Sequence, residues 1–102
     1  MENIKDISAR EFKALVELKQ DVQIIDVRVN PEQELGFKCS MHIPLNRLND
    51  NIDKISRDKR VVFVCDNGVN SFFAIQVLQN YHKFTNLWNL KGGVSKLIDN
   101  NI

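Results

Sequence analysis

The sequence predicts an α/β fold whose mainly parallel sheet is covered by helices on both faces. Three observations carry that expectation. Strand-like apolar runs near 22–27, 61–64 and 87–90 alternate with stretches of helical spacing, the order that builds parallel sheets. The run Val61-Val62-Phe63-Val64 is continuously apolar and rich in β-branched residues, as a strand buried on both faces is. It leads through Cys65 into a short polar loop with one glycine, and then into a second helical pattern. In open α/β sheets the crevice at such a strand end is where ligands bind. The first free N–H groups of the following helix favour an anion there.

Composition narrows the class. The chain has 102 residues, enough for one domain with a real core. Hydrophobic content of 43% and charged content of 26% are ordinary for a globular protein. A net charge of +1, with basic residues scattered singly, gives no case for nucleic acid or an acidic membrane surface. No apolar stretch reaches the length a bilayer needs, and Met1 to Asp6 shows no apolar signal region. Two cysteines make no disulfide framework. The expectation is a cytoplasmic protein with reduced thiols, forming a single domain over 1–102.

Taken in order, Ile4 and Ile7 flank Asp6 in a short edge strand. Ser8-Ala9-Arg10-Glu11 has the capping-box spacing, and Phe12, Leu15 and Val16 follow at helical intervals. A first helix is expected from Ala9 to about Leu18, and a buried strand over Val22 to Val27. Asn30 to Leu35 reads as a helical turn with Pro31 near its start and Gly36 as its stop. Met41-His42-Ile43 reads as a short strand that Pro44 blocks. Leu45, Leu48, Ile52 and Ile55 recur at three or four residues and predict a second helix. After the loop, Ala74, Val77, Leu78 and Tyr81 mark the face of a helix from about Asn70 to Tyr81. The Phe72–Phe73 pair is assigned to the core rather than to a substrate platform, with Phe72 left as a candidate for the pocket rim. Leu87 to Leu90 reads as a strand and Gly92-Gly93 as a turn. Val94, Leu97 and Ile98 predict a short closing helix.

The chemistry centres on Cys65. A nucleophilic cysteine acts as its thiolate, which a helix N-terminus or a nearby cation favours. Successive backbone N–H groups of the loop can form an anion-binding concavity. Gly68 lets the backbone turn, and Asn67, Asn70 and Ser71 can donate side-chain hydrogen bonds. The loop contains no Arg, Lys or His, and Asp66 stands next to the cysteine. A helix end contributes roughly 0.3–1 kcal/mol, up to ~2 when partly buried. A carboxylate about 7 Å away opposes a thiolate by roughly 0.6 kcal/mol in water and about 2.4 at an effective dielectric of ~20. The two can cancel: with Asp66 toward solvent the helix end is expected to win, and with Asp66 folded into the pocket it is expected to oppose the thiolate and repel anionic sulfur donors. Cys39 is read as an ordinary thiol, His42 as a hydrogen-bonded structural residue and Trp88 as packing. Asp26 and Arg28 are read as a structural pair at a strand end that also borders the pocket from behind. Two His and two Cys lack metal-ligand spacing, so neither a metal nor another cofactor is expected.

The stretch Cys65-Asp66-Asn67-Gly68-Val69-Asn70-Ser71 resembles the active-site loop of rhodanese domains, in which a cysteine precedes a short loop with a central Gly and a closing Ser, Thr or Ala. Ile24-Ile25-Asp26-Val27-Arg28 resembles the family's early strand and its Asp-x-Arg signature. His42-Ile43-Pro44-Leu45 resembles the segment before its middle helix. Phe84-Thr85-Asn86-Leu87-Trp88-Asn89-Leu90-Lys91-Gly92-Gly93-Val94 resembles its late strand and Gly-Gly turn. The four stretches stand in the family's order and span nearly the whole chain. The spacing from Glu34 to Ile43-Pro44-Leu45, and the Asn86 to Gly93 stretch, are most similar to the C-terminal rhodanese domains of adenylyltransferases that activate ubiquitin-like sulfur carriers.

The resemblance implies a sulfurtransferase fold with Cys65 as the nucleophile that carries sulfane sulfur as a persulfide. It implies that residues 66–71 form the substrate loop. The donor would be a small molecule or a persulfidated cysteine desulfurase, and the implied acceptor is a thiophilic acceptor or a ubiquitin-like sulfur-carrier protein. Many family members that use thiosulfate carry Arg where this chain has Asp66 and Asn70, so thiosulfate is expected to be a poor donor. The competing expectation is a non-catalytic rhodanese-like module for protein binding, favoured by Asp66 and the absent arginines. A cysteine phosphatase or arsenate reductase would close its loop on Arg, and Ser71 stands there instead.

Overall fold

The computed structural model describes residues 3–31, 35, 37 and 39–99. The turn expected from Asn30 to Leu35, with its stop at Gly36, rests on residues outside that set. Among the described residues, five strands form one sheet: β1 (Lys5–Ile7), β2 (Val22–Asp26), β3 (Met41–His42), β4 (Arg60–Val64) and β5 (Leu87–Leu90). Their order is β1-β5-β4-β2-β3, and every neighbouring pair is parallel. The chain therefore leaves β2 toward one edge and β4 toward the other. Between these two strands lies the point where the winding direction reverses, the place such sheets reserve for ligands.

Among the described residues, three α-helices and one 3-10 segment cover the sheet. Helix α1 (Ala9–Glu17) begins with the expected capping box: Glu11 N–H donates to Ser8 Oγ at 3.1 Å, and Ser8 N–H to Glu11 Oε1 at 3.3 Å. Helices α2 (Val69–His82) and α3 (Gly93–Asp99) follow β4 and β5. One core layer joins Ile25, Val61, Phe63 and Cys65 to Leu48 of the 3-10 segment and to Ala74, Ile75 and Leu78 of α2. On the other face, Ile24, Val62 and Val64 meet Phe12 of α1 and Leu97 of α3. The side chains of β4 thus alternate between two cores, and Val61 through Val64 have no exposed surface.

Two helix expectations need correction. Leu45–Lys54 forms a 3-10 helix broken at Asn51, where φ is −127°. Asn46, Asn49, Asp50, Asn51 and Asp53 compete for backbone hydrogen bonds and disfavour an α-helix; Asn51 Nδ2 donates to Arg47 O at 2.8 Å. In α2 the buried face is Ser71, Ala74, Ile75 and Leu78. Tyr81 is 77% exposed, and Phe72 and Phe73 are 39% and 51% exposed. Small and polar Ser71 turns inward because it meets the sulfur of Cys65 and Asn89 of β5. That rotation swings the two phenylalanines outward.

Candidate active site

The site begins where β4 ends. Val64 pairs with Asp26 of β2, and Val27 N–H donates to Val64 O at 3.0 Å. Cys65 is the next residue, and its side chain is 1% exposed. Gly68 then adopts a left-handed φ of 89° and opens α2 as its N-cap. A glycine has no side chain to receive the orphan N–H groups of the first turn. The sulfur of Cys65 takes that part. Its Sγ accepts the N–H of Ser71 at 3.3 Å and the N–H of Gly68 at 3.1 Å. Two backbone donors therefore converge on the sulfur, held by the helix start rather than by mobile side chains.

The remaining loop residues divide. Ser71 Oγ lies 3.2 Å from Sγ and donates a hydrogen bond to Asn89 Oδ1. Asn67 does not donate toward the sulfur; its Oδ1 accepts from Val69 N–H at 3.0 Å and completes the helix cap. Asn70 and Val69 are exposed on the first turn of α2. The side chain of Asp66 is 72% exposed and stands 3.8 Å from a guanidinium nitrogen of Arg28. An ion pair of that length and exposure contributes little to stability. Its consequence is one of placement: the carboxylate next to the cysteine faces solvent and the Arg28 cation.

Arg28 brings to the loop a positive charge that the loop's own sequence lacks. Its guanidinium is buried against Asp26, with Nε 3.0 Å from Oδ1 and Nη2 2.9 Å from Oδ2. Hydrogen bonding to Asp26 raises the guanidinium above its ordinary value despite burial, so it is a permanent cation. The Arg28 carbonyl is 2.6 Å from His42 Nε2, which ties β3 to the same corner. Cys39 also lies near this pair. Burial pushes its thiol up, Asp26 adds to the rise, and Arg28 opposes it. Cys39 and Cys65 are both free thiols.

Two contributions were missed by sequence reasoning. Asn89 is buried on β5, where its Nδ2 donates to Gly68 O at 3.3 Å and its Oδ1 meets Ser71. A polar residue inside an apolar strand just before a Gly-Gly turn was the available signal. The second is α3, whose first N–H groups hold the loop's carbonyls: Val94 to Cys65 O at 2.8 Å and Ser95 to Asp66 O at 2.9 Å. Gly93 permits this approach. A Cβ there would overlap the Cys65 carbonyl oxygen and lie 2.6 Å from the Asn67 nitrogen.

Beside the loop runs an open depression of about 690 Å³, with Gly68, Val69, Phe72 and Phe73 on one wall and Asn89 and Lys91 on the other. Cys65 does not line it; the Gly68 and Ser71 backbone lies over the sulfur. Among the described residues, no group of three or more His, Cys, Asp or Glu is placed to hold a metal ion. No described helix is long and apolar enough to cross a membrane.

The rhodanese-like domain family matches residues 8–100, which takes in the whole site. The chain belongs to the rhodanese-like domain family. A relative in Bacillus subtilis (strain 168), YtwF, provisionally named a sulfurtransferase, is 30% identical over 69 residues, 67% of each chain. The solved rhodanese-like domain protein of Staphylococcus aureus superposes with a TM-score of 0.78 at 26% identity, covering 92% of this chain and 91% of that one. An NAD-dependent persulfide reductase from A. fulgidus contains a similar unit. It is 32% identical with a TM-score of 0.70, over 88% of this chain and 15% of that longer one. The rhodanese-like assignment accounts for the parallel five-stranded sheet and for the strand–loop–helix that holds Cys65.

Proposed function

We propose that this rhodanese-like domain is a sulfurtransferase that carries sulfane sulfur as a persulfide on Cys65. The observation that carries the reading is the convergence of the Gly68 and Ser71 N–H groups on Sγ at the start of α2. Such donors stabilise a sulfur that bears negative charge, in a thiolate or in a persulfide. The thiolate of Cys65 attacks the terminal sulfur of a donor persulfide. A Cys65 S–S bond forms, the donor's S–S bond breaks, and the donor leaves as a thiolate. A thiophilic acceptor then attacks the outer sulfur, and the S–S electron pair returns to Cys65. Each step is a two-electron displacement with no net redox change, and the covalent intermediate divides the transfer in two.

The donor is a protein persulfide, such as a persulfidated cysteine desulfurase, rather than thiosulfate. Asp66 and Asn70 offer no guanidinium to a sulfonate, and Arg28 is already bound to Asp26. The acceptor in the second displacement is a thiophilic nucleophile. Toward a ubiquitin-like sulfur carrier the outer persulfide sulfur would instead attack the activated C-terminal carbonyl and expel the activating group, and a thiol reductant would then cleave the acyl disulfide to leave a thiocarboxylate. The persulfide chemistry in the name of the A. fulgidus reductase is consistent with a sulfane sulfur ligand, though the similar unit is a small part of that protein. The test compares sulfur transfer to a thiophilic acceptor from thiosulfate and from a persulfidated desulfurase. Faster transfer from the desulfurase, lost in Cys65→Ser, is expected. Transfer that survives Cys65→Ser defeats the proposal. No transfer from either donor, with partner binding intact in Cys65→Ser, identifies a protein-binding module instead.

A further inference from the structure

We propose that Asn89 is a positioning residue for the Cys65 sulfur, acting through the direction of the Ser71 hydroxyl. The inference deepens the sulfurtransferase reading and takes its meaning from it. A serine hydroxyl has one proton to give. Asn89 Nδ2 donates to Gly68 O, which fixes the amide so that its oxygen, an acceptor only, faces Ser71 Oγ. The hydroxyl proton is thereby committed to Asn89. What Ser71 presents to Sγ, 3.2 Å away, is oxygen lone pairs. A protonated sulfur satisfies them by donating S–H to Oγ. A thiolate does not: either it meets those lone pairs, or the hydroxyl turns to it and abandons Asn89 Oδ1.

The chain Cys65 S–H to Ser71 O–H to Asn89 Oδ1 therefore favours the protonated sulfur, against the two backbone N–H groups that favour the thiolate. The charged groups on the elements around the sulfur lie elsewhere: Asp26 and Arg28 at the end of β2, Asp66 in the loop, Cys39 beside the Asp26–Arg28 pair, Asp6 on β1 opposite Asn89, Lys91 after β5 and Lys96 on α3. The packed face of α2 carries no titratable group. Replacing Asn89 with Leu leaves all of them in place. It also leaves Gly68 O its bond from Phe72 N–H at 3.3 Å.

The experiment follows thiolate absorbance against pH without any sulfur donor, each protein being read against its Cys65→Ser counterpart to remove Cys39 and Tyr81. In Asn89→Leu the hydroxyl is released to donate to the sulfur, and the Cys65 midpoint moves toward acid by roughly 0.4–1.1 pH units, the range of one hydrogen bond. Ser71→Ala then has opposite effects in the two backgrounds. In the parent it removes the S–H acceptor and moves the midpoint toward acid. In Asn89→Leu it removes the thiolate's donor and moves it toward base. A merely structural asparagine gives no such reversal. An Asn89→Leu midpoint equal to the parent's, or more basic, overturns the proposal, as does a Ser71→Ala effect of one sign in both. If circular dichroism shows Asn89→Leu unfolded, Ser71→Ala in the parent decides: an acid shift supports the chain, and no shift or a basic shift overturns it. Persulfide loading is measured separately by mass, so failure of the sulfurtransferase reading leaves this titration readable.

Discussion

Two residues beyond the end of β2, Arg28 holds a cation between the buried carboxylate of Asp26 and the exposed one of Asp66. The inner pair is a near-ideal bidentate contact, and removing one partner of such a pair leaves a buried charge uncompensated. Arg28→Ala is expected to lower the free energy of unfolding by about 3–5 kcal/mol, a large share of the roughly 5–15 kcal/mol typical of a domain. Urea denaturation measures it, and a loss below about 1 kcal/mol would contradict the assigned role. The Asp26–Arg28 pair was legible from its Asp-x-Arg spacing at a strand end. Its reach to Asp66 was not, because it depends on β2 and β4 lying side by side in a register that places Asp26 opposite Val64. Asn89 was hidden for the same reason. Nothing in Leu87-Trp88-Asn89-Leu90 says which neighbour its amide meets until β5 is set beside β4.

The elements that hold the sulfur are the start of α2 and the start of α3, which grip the loop from its two sides. The first supplies N–H groups to Sγ, and the second supplies N–H groups to the carbonyls of Cys65 and Asp66. Gly93 lets the second approach, with φ of 67° and no room for a side chain. Gly93→Ala combines backbone strain with a clash against backbone atoms. It should destabilise the fold by at least about 2 kcal/mol, read as a lower urea midpoint with an unchanged slope. A change within about 0.5 kcal/mol would show that α3 does not clamp the loop. Strand–helix alternation, the capping box of α1 and the strand before Cys65 were all readable, because each rests on local periodicity or local capping. The outward turn of Phe72 and Phe73 was not readable from periodicity. Hydrophobicity alone favours burying them, and it is the pairing of Ser71 with Cys65 and Asn89 that rotates α2. The 3-10 geometry of Leu45–Lys54 was missed because apolar spacing of three or four residues suits either helix. The density of Asn and Asp was the discriminating feature.

For the whole molecule, sheet order determines what the local pieces can do together. Winding outward from β2 in one direction and from β4 in the other brings Asp26 and Arg28 to one side of the crevice and Cys65 to the other. Both cores are built on the two faces of β4, so the strand that positions the cysteine is also the most deeply packed. A rigid strand end and a fixed helix start are what a covalent carrier needs to keep one sulfur atom in place through two half-reactions. The most direct measurement of that claim is the intact mass of the protein after exposure to a persulfidated cysteine desulfurase, with Cys65→Ser treated in parallel. The account predicts a gain of about one sulfur atom, removed by a thiol reductant and absent from Cys65→Ser. A folded protein with reduced Cys65 that gains no mass, or a gain that persists in Cys65→Ser, would contradict it.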